Sequence, residues 1–123
     1  MLATALAAGL AFAATASASS TPKPACLKTA TSQADLNDCT GVWLRHAEAR
    51  LAKALALASK KYEPGLVARS QKAWLAYRRQ ECLLEASVYA GGTIYPQIYG
   101  TCEVGMDDAR TAELARDVAN LPH

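Results

Sequence analysis

No C-x-x-C pair occurs in this chain, no apolar run approaches the length that crosses a bilayer, and histidine is confined to His46 and the C-terminal His123. Each absence removes a class of function. Without close Cys pairs or Cys and His at ligand spacing, zinc and redox-active dithiols are poor readings, and covalent haem would need C-x-x-C-H. His46 and Glu48 are two residues apart on a helical pattern and cannot face one point, so they form no acid–base pair. The serines and His46 show no local arrangement of nucleophile, base and orienting group. No glycine-rich stretch joins a strand to a helix, which leaves no phosphate cradle. Charge of one sign is never concentrated: the net charge is +2, and Lys60-Lys61 and Arg78-Arg79 are too short to make the basic stripe of a nucleic-acid binder. The expectation is a protein without catalytic, cofactor-binding or metal-ligating residues, and not an enzyme.

Charge is missing altogether from Met1 to Ala18, a segment almost wholly of Ala, Leu, Gly and Phe. Its apolar run, Ala5 to Ala14, suits the core of an export signal and falls far short of the ~20 residues of a membrane span, so no stable membrane insertion is expected. Small residues at Ala16-Ser17-Ala18 favour cleavage before Ser19, with cleavage before Ser17 as the competitor. No Lys or Arg precedes the apolar run, so the usual basic start of a signal is absent. Residues 1–18 are thus expected to be a signal peptide, residues 19–31 a tether that is mobile up to Cys26, and residues 32–121 one helical domain. The expected location is periplasmic or secreted. About 105 residues remain after removal of the signal, enough for one domain with a modest core.

What is present is a helical pattern. Ser32-Gln33-Ala34-Asp35 has the form of a capping box with Asp in place of Glu. From there Leu36, Cys39, Trp43, Ala47, Leu51, Ala54, Ala58 and Tyr62 recur in steps of three and four. Glu63-Pro64-Gly65 ends this first helix, because proline cannot continue the hydrogen-bond ladder. A second helix, from about Leu66 to Tyr89, carries two stripes. One holds Leu66, Ser70, Ala73, Tyr77, Leu84 and Val88. The other stacks Trp74, Arg78 and Cys82 four residues apart. Ala90 to Gly100 then reads as a loop, and a third helix runs from about Cys102 to Ala119, with Asp107-Asp108 in its first turn where negative charge suits the helix dipole. The expected fold is all-α: an antiparallel helical hairpin plus a C-terminal helix, stapled by two disulfides.

Four cysteines, Cys26, Cys39, Cys82 and Cys102, lie after the signal, an even number in an exported chain. In an antiparallel hairpin Cys39 and Cys82 are offset by roughly 10 Å along the axis, beyond a disulfide's Cα reach of about 7 Å. Two pairings remain. Cys26–Cys39 with Cys82–Cys102 is favoured because each bridge closes a local loop. Cys26–Cys82 with Cys39–Cys102 stays open, since Cys39 and the end of the second helix should lie at similar heights. Trp43, Trp74 and Arg78 are expected to be structural, with Arg78 packing along Trp74 and pairing with Asp35, Asp38 or Glu81, because an unpaired buried guanidinium is very costly.

Cys26, Ala34-Asp35-Leu36-Asn37-Asp38-Cys39, Trp43, Leu51, Tyr62, Gln71-Lys72-Ala73-Trp74-Leu75-Ala76-Tyr77-Arg78, Cys82, Gly91-Gly92, Cys102, Arg110 and Leu114 together resemble the LprI-like lysozyme-inhibitor domain of bacterial envelope and secreted proteins. Trp43 stands where members often have Tyr, and no lipobox cysteine is present. The resemblance implies a helical, disulfide-bonded module outside the cytoplasm and, in at least some members, inhibition of lysozyme. Its signature residues are those already explained as core and staples, so they specify fold more strongly than function. The function expected is a protein-binding module, with lysozyme as the named partner and occlusion of its cleft as the mode. The candidate binding loop is Gly91, Gly92, Tyr95, Ile98 and Tyr99, with the aromatic side chains supplying contact area at low entropic cost. The alternative is an envelope scaffold or assembly module without lysozyme activity. Animal lysozymes are commonly basic and this domain is itself slightly basic, which works against long-range attraction between them.

Overall fold

The computed structural model describes residues 19–122. The expected signal peptide, residues 1–18, lies outside them, as does His123. The described chain holds a one-turn helix α1 (Cys26–Thr29) and three long helices: α2 (Gln33–Lys61), α3 (Pro64–Ala86) and α4 (Tyr95–Ala119). A 3-10 turn, Ser87–Tyr89, follows α3, and no strand occurs among the described residues.

Helix α2 opens on the expected capping box: the Asp35 N–H donates to Ser32 Oγ, and the Ser32 N–H donates to Asp35 Oδ2. It ends at Lys61, and Glu63 then caps α3 by accepting from the Gly65 and Leu66 N–H groups. Pro64 is therefore the first residue of α3 rather than part of a turn, a position where the missing N–H has no partner to lose. The same physics shortens the loop expected from Ala90 to Gly100. Pro96 sits in the first turn of α4, so Tyr95, Ile98 and Tyr99 are helical and only Ala90 to Ile94 remains between the 3-10 turn and α4. Gly91 holds a φ of 81° in that turn, a conformation that favours glycine.

Helix α4 runs parallel to α2 and antiparallel to α3. Gln33 Nε2 donates to Gln97 Oε1, Asn37 Nδ2 to the Thr93 carbonyl, and Tyr62 Oη to the Asp117 carbonyl, so both helices advance in the same direction. The most extensive packing is between α2 and α4; α3 rests on α4 and meets α2 less. The expected antiparallel hairpin of α2 and α3 is present, and α4 packs along both of its helices. At the α2/α4 contact Gly100 is buried, and a Cβ there would lie 2.8 Å from Thr40 Cγ2. Glycine in this helix permits close approach and does not break it.

Core residues follow the α2 stripe closely: Cys39, Ala47, Leu51 and Ala58 are buried. On α3 the stripe of Trp74, Arg78 and Cys82 faces the core. The other stripe does not: Leu66, Tyr77 and Leu84 are exposed, and so, in the 3-10 turn beyond α3, is Val88, to 80%. Disulfides join Cys26 to Cys39 and Cys82 to Cys102, with Cα separations of 5.9 and 5.6 Å. Bridges of this kind stabilise a small core by about 2–4 kcal/mol each.

Candidate functional site

The segment expected to be a mobile tether is docked on the bundle. Thr21, 3% exposed, donates its N–H to Asp108 Oδ2 at 3.0 Å and its hydroxyl to Asp108 Oδ1 at 2.5 Å, and its carbonyl accepts from Trp43 Nε1 at 3.0 Å. Arg50 donates to Thr21 Oγ1 and to the Ser19 carbonyl and pairs with Asp108 at 3.4 Å. Lys23 lies over the Trp43 ring. This strap covers one side of the α2/α4 seam, along Leu36, Trp43 and Thr101.

On the other side of the seam lies a groove of about 370 Å³. Gly41 and Gly100 contribute no side chains to it, while Leu44, Tyr95, Pro96 and Tyr99 form its apolar walls and Glu103 its polar end. The Tyr95 and Tyr99 rings stack at 6.2 Å between centroids, as expected for residues four apart on a helix. Of the five residues expected to form a binding loop, Gly91 and Gly92 are in the connecting turn and exposed; Tyr95, Ile98 and Tyr99 are half-buried on α4. Tyr95 and Tyr99 line this groove, and Ile98 does not.

Beyond Glu103 the groove meets a charge cluster. Arg78 Nη1 donates to Asp107 Oδ1 at 2.8 Å, Arg78 Nη2 is 3.2 Å from Glu103, and Glu48 is 3.7 Å from Arg78. The carboxylates expected for Arg78, Asp35, Asp38 and Glu81, are not its partners; α4 supplies two of the three. Asp107 is 0% exposed and its Oδ2 has no hydrogen-bond partner. Burial pushes the carboxyl groups of Asp107 and Glu103 up, against the opposing pull of Arg78. Burial also works against the Arg78 charge, but the Asp107 hydrogen bond and the three carboxylates outweigh it and raise its pKa. Three carboxylates surround one guanidinium, which leaves surplus negative charge at this end of the groove.

Trp74 is half-buried between two guanidinium groups, Arg78 at 5.6 Å and Arg110 at 5.9 Å from its ring centroid. Arg110, 6% exposed, donates to Gln71 and Ser70 and pairs with Glu113. Asp107 and Asp108 are therefore mid-helix ion-pair and strap residues rather than first-turn charge. Their roles had a signal in the sequence: Gly100, Val104, Asp107, Thr111, Leu114 and Val118 recur at steps of four and three, which places Asp107 on the apolar face of α4. Among the described residues, no group of three or more His, Cys, Asp or Glu side chains has the arrangement to hold a metal, and no helix is long and apolar enough to cross a membrane.

Comparison with known proteins gives two findings. The model of the family described as "Lysozyme inhibitor LprI" matches residues 26–114. A relative described as an uncharacterized protein of Rhizobium meliloti (strain 1021) is 35% identical over 109 residues, covering 76% of this chain and 78% of its own. No solved structure matches significantly.

Proposed function

The chain belongs to the lysozyme inhibitor LprI family, and on that premise we propose that it is an exported, non-enzymatic protein-binding module that slows lysozyme by occluding its cleft. The observation that carries the reading is the stacked pair Tyr95 and Tyr99, fixed on the first turns of a helix beside an apolar groove. Aromatic side chains held this way offer large contact area with little entropy left to lose on binding. Ile98 and the exposed turn at Gly91 and Gly92 extend the same end of the molecule. Two disulfides suit an oxidising location, periplasmic or secreted, to which residues 1–18 would direct the chain.

A lytic assay with the purified protein lacking residues 1–18 tests this. Lysozyme is expected to slow at micromolar excess of the module, and Tyr95→Ala with Tyr99→Ala to relieve the inhibition while the helical circular-dichroism signal stays unchanged. No slowing of a given lysozyme would remove that enzyme as a target. The second reading, an envelope scaffold, draws on a different observation: the exposed apolar residues Leu66, Tyr77 and Leu84 on α3 and Val88 in the 3-10 turn after it.

A further inference from the structure

The groove between α2 and α4 combines two environments along its length. Its middle is apolar, with walls from Leu44 and Tyr99 over a floor where Thr40 packs against Gly100, and Asn37 stands at the end away from Glu103. One end is Glu103, whose side chain is 13% exposed and which shares Arg78 with the half-exposed Glu48 and the fully buried Asp107. One guanidinium, Arg78, serves all three carboxylates, and Asp107 Oδ2 is left without a partner. Surplus negative charge gathered around one cation is relieved either by a proton or by a second cation. An apolar channel that ends in carboxylates is complementary to one kind of side chain, a long aliphatic stem with a cationic head.

We infer that this groove seats one arginine side chain of the protein partner, its stem between Leu44 and Tyr99, its guanidinium against Glu103 and Glu48. The inference rests on the inhibitor reading and gives that reading a chemical specificity. Arginine fits better than lysine because its planar fork can bridge two carboxylates and stack on a tyrosine face. The seat also answers the unfavourable net charge: a slightly basic domain can attract a basic enzyme locally where its own acidic groups converge. Arg45 is the opposing element. It is exposed, and its guanidinium lies 3.7 Å from where a Cβ on Gly41, a groove residue, would stand.

The test uses the full module and a basic animal lysozyme. Glu48→Gln and Glu103→Gln are expected to weaken inhibition at least tenfold and to flatten its dependence on salt, with helical circular dichroism retained; Arg45→Ala is expected to tighten it severalfold. Glu48 is about half exposed, so its substitution keeps the test open if Glu103→Gln fails to fold. If both Gln variants inhibit like the parent with the same salt dependence while Tyr99→Ala does not, the cation seat is wrong and the inhibitor reading stands. If the parent itself fails to inhibit, the inhibitor reading falls and the seat is tested alone with N-acetylarginine amide at millimolar concentration. Side-chain carboxyl NMR shifts confined to Glu48 and Glu103 would then support the seat, and their absence would overturn it.

Discussion

Thr21 and Asp108, 87 positions apart in the sequence, hold each other through two hydrogen bonds, one from the backbone N–H and one from the hydroxyl of Thr21. The strap is thereby fastened to α4, and Arg50 of α2 closes the same cluster. Removing the carboxylate should release it. Asp108→Ala is expected to cost about 1–3 kcal/mol, because a buried N–H and hydroxyl lose their acceptor. Hydrogen exchange at the Thr21 amide should accelerate in step; an unchanged rate would show that the strap is held by Trp43 and packing alone.

Arg78 is the centre of a different arrangement. Arg78→Ala leaves Asp107 buried without its cation and is expected to cost about 3–5 kcal/mol. The double change Arg78→Met with Asp107→Leu removes both charges and should recover most of that loss. Denaturant unfolding with the disulfides intact measures both, and a double variant as unstable as Arg78→Ala would place the cost in packing against Trp74.

Stability should depend on pH in opposite senses at the Arg78 cluster and at the start of α2. Glu103 and Asp107 have raised pKa values in the folded state, mainly through burial, so the folded chain binds their protons more tightly than the unfolded chain does. Their contribution is fully present below the ordinary carboxylate values of 4.5 and 3.8 and is lost as pH rises through the raised ones. Asp35 is lowered, chiefly by its hydrogen bond with Ser32, so its contribution is present above its ordinary value and lost as pH falls through the lowered one. Glu103→Gln is expected to flatten the decline on the alkaline side of 4.5 and to leave the acid limb unchanged. Equal slopes in parent and variant on that side would contradict the assignment.

Gly100→Ala brings a Cβ to 2.8 Å from Thr40 Cγ2. Overpacking of about 1–3 kcal/mol should outweigh the roughly 1 kcal/mol of helix propensity gained. Thr40→Ser removes the obstructing methyl while keeping the hydroxyl bond to the Leu36 carbonyl. The two changes together should therefore cost about 1 kcal/mol or more less than the sum of each alone, measured as a double-mutant cycle; additive costs would mean that the helices already have room.

Helix identity was legible wherever one residue decided it. Ser32 with Asp35 marked the start of α2, and its three-and-four stripe marked the core. Pro64, Pro96 and Gly100 misled because each breaks helices in general while being tolerated, or required, at the place it occupies: a first turn for the prolines, a close contact for the glycine. Two apolar stripes on α3 could not be ranked by periodicity alone, since both repeat at helical spacing and only the position of α4 decides which is covered. Arg78 was readable as a buried cation in need of acids, but its partners lie on α2 and α4, and a stripe names no neighbour across helices. Tyr95 and Tyr99 were read as one candidate surface with the wrong backbone, so their stacking was out of reach.

The two disulfides divide the molecule into stitched halves. Cys26–Cys39 sews the strap and α1 to α2, and Cys82–Cys102 sews α3 to α4. No bridge crosses between α2 and α4, so the groove's facing walls, Leu44 on one and Tyr99 on the other, belong to different covalent loops. The two walls meet through packing, hydrogen bonds and the Thr21 clasp, with no covalent tie between them. Reducing the disulfides would therefore loosen the strap and α3 but would break no covalent tie across the groove, whose width is set by packing such as Gly100 on Thr40.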